Sequence, residues 1–344
     1  MRYDLTPVEA RCPACHAGRA ERLYRVDAAQ AAQHYVRREA HPERHDALRA
    51  HIAELWGQPT CDVLRCTACR FGFAWPYVAG DARFYALAYE RTGYPAWKWE
   101  FERTLQALDA AALAPGFSLL EVGAGDGAFL ARVVPARTAP ERVRATEFSD
   151  YGRRAIEALG VRALATDVRA LDAGPPAPFE VVCLFQVLEH LDGLDVLFEQ
   201  LGRLTTPDAH LFVAVPNDAR IAFNERNGSL LDMPPNHIGR WTRPALDALS
   251  ERHNWRVVAH EIEPEGAASK ARELVTYRYM RRRQKGGTLA NRVERVGAAP
   301  VRKALQAATV AAYGLAAIPT ALAMIRADGL GGSQWVHLRR GAAP

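Results

Sequence analysis

The chain has 344 residues, of which 49% are hydrophobic and 24% are charged. These values are typical of a soluble globular protein and exclude disordered, collagen-like and coiled-coil chains. The 44 basic and 39 acidic residues leave a net charge of +5, which is too small an excess to indicate a nucleic-acid partner. The length suits a catalytic domain with one or two additions.

The first 80 residues predict a small zinc-binding module. Two Cys-x-x-Cys pairs, Cys12 with Cys15 and Cys66 with Cys69, are typical of a tetrahedral structural Zn²⁺ site with four thiolate ligands. A helical insertion over residues 28–55 explains the long separation of the pairs, because closing a long loop costs little more entropy than closing a short one. His16 and Cys61 are spare candidate ligands, and four unligated thiols are the alternative interpretation.

Residues 81–115 form an aromatic and helical linker, after which short apolar strands alternate with helices. Strands are predicted at 117–122, 143–148, 161–165, 179–185, 210–215, 255–262 and 334–338, with Ser149 and Thr242 as helix N-caps. This alternation predicts an α/β fold, a Rossmann-like seven-stranded doubly wound sheet, over residues 116–344. We expect an irregular, lid-like loop at 217–240 and a helical insertion at about 267–330, before the last strand.

A glycine-rich turn follows the first predicted strand. Residues 119–127 read LLEVGAGDG, and glycines at such a turn let the backbone approach a ligand closely. Two ligand classes fit. A dinucleotide fingerprint is met loosely by Gly123, Gly125 and Ala128. The acidic-x-Gly-x-Gly-x-Gly loop of S-adenosylmethionine (SAM) enzymes is met in full by Glu121, Gly123, Gly125 and Gly127.

Two further carboxylates follow the next two predicted strands, at positions where they could bind a nucleoside. Glu147 ends the second predicted strand, where a carboxylate can accept hydrogen bonds from both ribose hydroxyls. Asp167 follows the third predicted strand, where a carboxylate can accept a hydrogen bond from an adenine amino group. Several features at the right offsets favour SAM over a dinucleotide more strongly than the glycine turn does alone.

Three later segments complete a resemblance to the class I SAM-dependent methyltransferases: LEHL at 188–191, LFEQLGRL at 197–204 and LFVAVPN at 211–217. The resemblance covers roughly residues 115–262, and ubiquinone-type O-methyltransferases and sugar C-methyltransferases are the most similar groups. One departure is Pro207-Asp208-Ala209, where the family usually has Pro-Gly-Gly. The resemblance implies the class I methyltransferase fold, SAM as cofactor and a zinc module before the catalytic domain.

The same resemblance assigns further residues to the cofactor crevice. Phe148, Val168, Phe185 and Gln186 are expected there, and Tyr94 is expected to reach the methionine end of the cofactor from residues 81–115, which line one wall. An aromatic ring such as that of Phe185 can stabilise a sulfonium by cation–π attraction. Core packing is the alternative role of Phe185.

His237 is a candidate general base in the loop after the fifth predicted strand. It stands in MPPNHIGRWT at 233–242, over the carboxyl ends of the strands, where ligands bind in such sheets. Histidine titrates near neutrality and can take a proton from a methyl acceptor. The alternative is that His237 forms hydrogen bonds within the loop and holds it shut.

Glu189 and His190 follow the fourth predicted strand. In the ubiquinone-type enzymes a Glu-x-x-Glu-His run at this place contributes metal ligands, but the first position here is Gln186. Because one carboxylate is lost, a divalent-metal site is not favoured. We expect Glu189 and His190 to shape the loop and to orient substrate or cofactor.

Residues 304–325 contain no charge and are long enough to span a bilayer. They lie between the sixth and seventh predicted strands, and a single span would place two strands of one sheet on opposite sides of the membrane. We therefore favour a helical cap over the acceptor pocket or a dimer contact. A membrane-surface role, with the basic residues at 281–283 and 302–303 nearby, is the less favoured alternative.

These observations predict a cytoplasmic, biosynthetic SAM-dependent methyltransferase with a structural zinc. We expect methyl transfer to an oxygen or carbon of a small-molecule acceptor, such as a sugar nucleotide or a secondary-metabolite intermediate. No signal peptide is expected, because the N-terminus lacks an apolar segment. An NAD-dependent oxidoreductase that uses the same glycine loop and a non-catalytic zinc-containing binding protein are the alternatives. We expect no nucleic-acid partner, and a homodimer is an open alternative.

Overall fold

The computed structural model describes residues 3–89, 97–111, 113–227, 229, 232–264, 266–326 and 329–341. The strands are β1 (Thr6–Glu9), β2 (Arg19–Asp27), β3 (Thr60–Cys66), β4 (Gly72–Trp75), β5 (Leu119–Val122), β6 (Val143–Thr146), β7 (Arg162–Leu164), β8 (Phe179–Phe185), β9 (Thr205–Pro216), β10 (Gly239–Arg240), β11 (Trp255–Ile262) and β12 (Ser333–Arg340). The helices are α1 (Ala28–Tyr35), α2 (Pro42–Trp56), α3 (Ala82–Ala88), α4 (Trp99–Ala110), α5 (Leu130–Arg137), α6 (Asp150–Glu157), α7 (Leu194–Leu204), α8 (Asp218–Arg226), α9 (Arg243–Arg252), α10 (Ala267–Gln284), α11 (Leu289–Glu294) and α12 (Ala299–Arg326).

The larger sheet has the strand order β11-β12-β9-β8-β5-β6-β7. Its pairs are parallel from β7 through β9, and β12 runs antiparallel to both β9 and β11. All residues of β5 and β6 are buried, as expected for parallel strands that are covered on both faces. The predicted α/β class with a mostly parallel sheet is confirmed.

Local sequence signals explain how the helices of this sheet begin. Ser149 accepts a hydrogen bond from the Gly152 amide at 3.1 Å, and Thr242 accepts one from the Ala245 amide at 3.2 Å. Each side chain satisfies an amide that lacks a partner within its helix. Both predicted N-caps are confirmed.

Two predicted elements differ from the structure. The helical insertion expected at 28–55 consists of two helices, α1 and α2, because the first helix ends at Tyr35 and the second begins at Pro42, a favoured first helical residue. The loop expected to be irregular at 217–240 contains α8. Asn217 starts this helix as its N-cap, accepting a hydrogen bond from the Ala219 amide at 3.2 Å.

A second, antiparallel sheet has the order β1-β2-β3-β4-β10. Its first four strands come from the N-terminal part, but β10 comes from the segment after α8. Gly239 pairs with Phe73 and Arg240 with Gly72. The N-terminal sheet is therefore completed by a strand from the later part of the chain, and no sequence pattern predicted this pairing.

A buried ion pair holds this junction. Arg240 contacts Glu225 of α8 at 2.6 Å, and both side chains are almost completely buried. The hydroxyls of Tyr3 and Tyr24 donate to the same carboxylate, each at 2.7 Å. Because the desolvated carboxylate has a cation and two hydroxyl donors, the pair links α8, β10 and β2 in one cluster.

In the sequence, three helices, α10 to α12, lie between β11 and β12, although these two strands pair antiparallel with each other in the sheet. The helices pack through two small apolar clusters, Leu274 with Ala317 and Leu330, and Tyr279 with Ala290 and Tyr313. The stretch Ala299–Ala323 of α12 is long and apolar enough to cross a membrane by length and composition, although core helices of soluble proteins pass the same test.

Replacing Arg240 by Ala leaves the Glu225 carboxylate buried without its cation. We expect Arg240→Ala to lower the free energy of unfolding by about 3–5 kcal/mol, measured by chemical denaturation. The matched control is Arg226→Ala on the exposed end of α8, which should cost no more than about 0.5 kcal/mol. Similar losses for the two variants would show that the buried pair does not stabilise the junction.

Candidate active site and zinc site

The glycine turn after β5 adopts a backbone conformation that only glycine takes up easily. Gly123, Gly125 and Gly127 have φ angles of +67°, +59° and +78°. A Cβ atom on Gly123 would lie 2.7 Å from Cγ2 of Val187, which follows β8. The turn therefore requires glycine at position 123, and it lies at the carboxyl edge of the sheet, where ligands of such folds bind.

Glu147 lies directly beside this turn, as predicted from its place after β6. Its carboxylate accepts hydrogen bonds from the Gly125 amide at 3.0 Å and from the Ser149 amide at 2.8 Å. Each carboxylate oxygen has further lone pairs for a ligand hydroxyl. Glu147 therefore fixes the turn.

Glu121 is buried in β5, below the turn. Burial raises the pKa of this carboxyl to about 8, with Asp126 and Glu147 adding to the rise and Lys98 opposing it. Its Oε2 atom has no hydrogen-bond partner among the described residues. A buried polar atom without a partner is costly, and a ligand with a hydrogen-bond donor fits this position.

Asp167 follows β7, and its carboxylate already forms an ion pair within the protein, which the sequence did not predict. Arg169 binds its carboxylate at 2.6 Å and also contacts Asp192 at 2.7 Å. An adenine amino group would share this carboxylate with Arg169. Val168 is buried beside it, whereas the Phe148 side chain is 69% exposed next to Glu147 and is available to cover a ligand.

Phe185 and Gln186 at the end of β8 are both engaged inside the protein. The Phe185 ring packs edge-on against Phe101 and Phe129, at 5.0 Å from each. Gln186 has a φ angle of +60°, and its amide nitrogen Nε2 donates to Glu100 at 3.1 Å and to Ser333 at 2.8 Å. Tyr94 lies outside the described residues.

His237 forms a dyad with Asp232, a residue that the sequence analysis missed. Nδ1 of His237 lies 2.9 Å from Oδ1 of Asp232. Burial alone would lower the pKa of His237, but the hydrogen bond and charge of Asp232, helped by Glu189, outweigh burial and raise this pKa. Because Nδ1 donates to the carboxylate, Nε2 is the nitrogen that can accept a proton. An aspartate five residues ahead in the same loop was the available signal.

Glu189 and His190 lie against His237. Glu189, His190 and His237 each offer one atom that could bind a metal ion, and these three atoms lie within 4.8 Å of one another. The imidazole rings of His190 and His237 meet edge to face, with their centroids 4.7 Å apart. Burial lowers the pKa of His190 to about 3, so its ring is neutral and its Nδ1–H donates to the Asn236 carbonyl at 2.7 Å. Burial raises the pKa of Glu189 to about 7.

Lys98, just before α4, connects the glycine turn with the histidines. Its positive charge lowers the pKa of both Glu121 and Glu189 and so opposes the effect of burial at each. One cation therefore acts on two buried carboxyls, one under the turn and one beside His237. No motif marked Lys98 in the sequence, because only the fold brings it near these two strands.

The four predicted zinc ligands come together. Sγ of Cys12 lies 3.6 Å from Sγ of Cys69, Sγ of Cys15 lies 3.5 Å from Sγ of Cys66, and all four sulfurs lie within 4.8 Å of one another. These separations are too long for disulfides. A tetrahedral zinc with Zn–S bonds of about 2.3 Å needs sulfurs about 3.8 Å apart, and the four thiols therefore fit such an ion.

The spare candidates stay outside this cluster. Cys61 is buried elsewhere in the module, where burial raises the pKa of its thiol to about 12. The His16 ring instead contacts Asp195 of α7 through Nε2 at 3.0 Å.

The cysteine cluster is in direct contact with the segment that carries His237. The Thr242 hydroxyl donates to the Cys69 carbonyl at 2.8 Å, and the Phe71 ring packs 4.5 Å from the Trp241 ring. Tyr85 of α3 contacts Nδ1 of His190 at 3.2 Å. The N-terminal part therefore contacts the candidate active site on two sides.

Part of the chain matches a known protein family. Residues 96–260 match the family model of a methyltransferase domain. A search of curated proteins found no match to the chain.

Solved structures with similarity to the chain include three methyl-transfer enzymes or their relatives. Magnesium protoporphyrin IX methyltransferase from Synechocystis PCC 6803, with bound S-adenosylhomocysteine (SAH), is 9% identical, has a TM-score of 0.43 and covers 70% of this chain and 82% of its own. Mycolic acid cyclopropane synthase with SAH is 17% identical, with a TM-score of 0.42 and coverages of 69% and 84%. The 1,6-didemethyltoxoflavin-N1-methyltransferase from Burkholderia thailandensis is 19% identical, with a TM-score of 0.38 and coverages of 48% and 72%. At these scores no residue role is transferred from them.

The family match covers α4, the glycine turn and most of the larger sheet, which are the elements that build the candidate site. The chain is therefore an enzyme whose residues 96–260 form a methyltransferase domain.

Proposed function

We propose that this enzyme transfers the methyl group of SAM to an oxygen or carbon atom of a small-molecule acceptor. The observation that carries the proposal is that the His237–Asp232 dyad lies against Glu189, which follows β8, the strand whose end also meets the glycine turn through Val187. SAM supplies an activated methyl group on a sulfonium when bound. The protein therefore has to bind, orient and deprotonate more than it has to activate.

In this proposal Glu121, Glu147, Asp167 and the backbone of Gly123, Gly125 and Gly127 bind the cofactor. Glu147 accepts hydrogen bonds from ribose, and the unpartnered Oε2 of Glu121 accepts one from a donor of the ligand. Phe148 covers the nucleoside beside Val168. Phe185 and Gln186 support the crevice from within rather than reaching into it, because their contacts lie inside the protein. The role of Tyr94 at the methionine end stays a prediction, since this residue lies outside the described part of the chain.

His237 acts as the general base in this proposal. Nε2 takes the proton of the acceptor while Asp232 holds the ring through Nδ1 and stabilises the imidazolium that results. The neutral His190 ring packs against His237, and it orients that ring without adding a charge. Glu189 and His190 act as positioning residues for the base and the acceptor.

The N-terminal module, residues 1–80, has a structural role in this proposal. Four thiolates leave zinc no open coordination position, so the ion stabilises the module and takes no part in the chemistry. The module fixes the His237 segment through the Cys69 carbonyl and strand β4. Residues 81–115 form a wall of the site, and residues 116–344 form the rest of the catalytic domain.

The acceptor class follows from the chemistry of the site. A buried histidine–aspartate base suits a hydroxyl or an acidified C–H, as in a sugar nucleotide or a secondary-metabolite intermediate. We expect the enzyme to act inside the cell, in a biosynthetic reaction. An NAD-dependent oxidoreductase is the second candidate, because Gly123, Gly125 and Ala128 also meet the dinucleotide pattern.

Substituting Gly123 tests the cofactor. Gly123→Ala brings a Cβ within 2.7 Å of Val187 at a positive φ, so we expect the SAM dissociation constant to rise at least about tenfold in isothermal titration. Gly116→Ala is the matched control, because Gly116 also has a positive φ, +86°, but has open space around it. SAM affinity of this control should stay unchanged. Binding of NAD without binding of SAM would refute the methyltransferase proposal.

Substituting His237 and Asp232 tests the base. We expect His237→Ala to lower methyl transfer about 10²- to 10⁴-fold and to leave SAM binding unchanged. Because the Asp232 carboxylate raises the pKa of His237 above its usual 6.5, Asp232→Asn should lower this pKa, and the rise of activity with pH should move to lower pH. Titration of the His237 ring resonances by NMR measures the pKa without an acceptor. The control Asp109→Asn, at the exposed end of α4, should leave it unchanged.

Zinc content tests the cysteine cluster. Elemental analysis should find one zinc per chain, and Cys66→Ser should lose it together with part of the thermal stability. Cys61→Ser removes a cysteine of the same module that lies outside the cluster, and this variant should keep its zinc. Zinc lost in Cys61→Ser but kept in Cys66→Ser would overturn the assignment of ligands.

A further inference from the structure

Helix α12 exposes a broad apolar face. Among its outward side chains, Leu315 is 71% exposed, and Val301, Leu305, Val310, Ile318 and Leu322 are between 36% and 52% exposed. The side that packs on α10 and α11 is narrow and centred on Thr309, Tyr313 and Ala317, which follow one another at four-residue intervals. An apolar surface of this kind marks an interaction site on a folded protein.

The segment before this face has a higher net positive charge than the whole protein. Residues 267–303 contain eleven lysines and arginines and two glutamates, a net charge of +9, whereas the whole chain carries +5. The remaining residues are therefore net negative, at −4. Exposed cations of this segment are Arg281, Arg282, Lys285, Arg292, Arg295 and Lys303. Such a concentration of charge indicates an anionic partner.

The position of α12 in the fold limits how this helix can bind such a partner. The helix has 28 residues and is about 42 Å long. The strands on either side of the insertion, β11 and β12, pair directly with each other over most of their length. A helix that crossed a bilayer would separate these two strands, so α12 can only lie along a surface.

We propose that α10, α11 and α12 dock this protein on an anionic lipid surface, with the outward face of α12 among the headgroups and acyl chains. Apolar side chains flanked by lysine and arginine are the pattern of helices that lie in a membrane interface. A second copy of the chain fits less well, because a symmetric contact through α12 would bring two strongly basic segments together. A nucleic acid would leave the apolar face in water. The sequence alone disfavours membrane attachment, whereas the exposed apolar face of α12 favours it.

A cavity lies beside the end of α10. A cavity of about 370 Å³ is lined by Arg283 at the end of α10 and by Tyr35 and Tyr89. The Tyr89 ring stacks 6.1 Å from the ring of Tyr85, whose hydroxyl contacts His190. Docking itself does not depend on the proposed function.

Co-sedimentation of the full-length protein with vesicles tests the proposal. We expect binding to phosphatidylcholine vesicles that contain phosphatidylglycerol and none to pure phosphatidylcholine. Leu315→Glu with Leu322→Glu, and separately Arg281→Gln with Lys285→Gln and Lys303→Gln, should each weaken binding at least about tenfold. The matched controls are Val196→Glu with Val258→Glu, which are exposed apolar residues elsewhere, and Arg49→Gln with Arg162→Gln and Arg256→Gln. Both controls should bind as the wild type does.

Several results would overturn the proposal. One is an absence of binding to either vesicle, and another is an equal loss in the controls. A third is a wild-type dimer that Leu315→Glu with Leu322→Glu converts to a monomer without changing vesicle binding, which would assign the face to a second copy. Binding to duplex DNA with the same dependence on basic residues, and no vesicle binding, would assign the segment to nucleic acid. None of these measurements uses SAM or methyl transfer, so their failure is distinguishable from failure of the proposed function.

Discussion

The buried pair of Arg240 and Glu225 is the constraint on which the candidate active site depends. Two charges removed from water cost several kcal/mol each unless their partners are well placed, and here Tyr3 and Tyr24 supply the remaining hydrogen bonds. Arg240 and Glu225 lie 15 residues apart, whereas Tyr3 and Tyr24 lie 222 and 201 residues before Glu225, so the cluster joins the N-terminal part of the chain to α8 and β10. Because Arg240 also belongs to β10, the ion pair and the strand pairing with β4 stabilise the same junction. His237 lies only three residues before Arg240, so the position of the proposed base depends on that junction.

The cysteine cluster acts on the other side of the same segment. Thr242 caps α9 and also donates its hydroxyl to the Cys69 carbonyl, so one side chain connects a helix start to a proposed zinc ligand. Trp241 packs on Phe71 between these two contacts. The segment from His237 to Thr242 is thus fixed at Arg240, Trp241 and Thr242. A base held in this way needs little reorganisation before it takes a proton, which is what positioning contributes to catalysis. This gives the N-terminal module a reason to be part of the enzyme although it has no reactive group in the site.

The sequence predicted the parts that depend on short-range patterns. The mostly parallel sheet, the N-caps Ser149 and Thr242 and the gathering of the four cysteines all follow from local spacing and propensity, and the structure agrees. It could not predict β10, because two residues, Gly239 and Arg240, carry no strand signal and pair only where β4 offers an edge. Lys98 and Asp232 were missed for a related reason. Their importance comes from charges on other elements, and only the fold brings those charges near.

The charges around the site also explain why a cationic ligand suits it. Glu121 and Glu189 are buried, and burial raises the pKa of the first to about 8 and of the second to about 7. Lys98 is the cation that lowers the pKa of both carboxyls, but its effect is too small to keep both fully ionised at neutral pH. A ligand that brings a positive charge and hydrogen-bond donors to this edge would favour the ionised form of Glu121 and satisfy its unpartnered oxygen at the same time. A dinucleotide brings negative phosphates instead, which would add to the cost of the buried carboxyls. The electrostatics of the site therefore favour a sulfonium nucleoside over a pyrophosphate, independently of the glycine pattern that both ligands share.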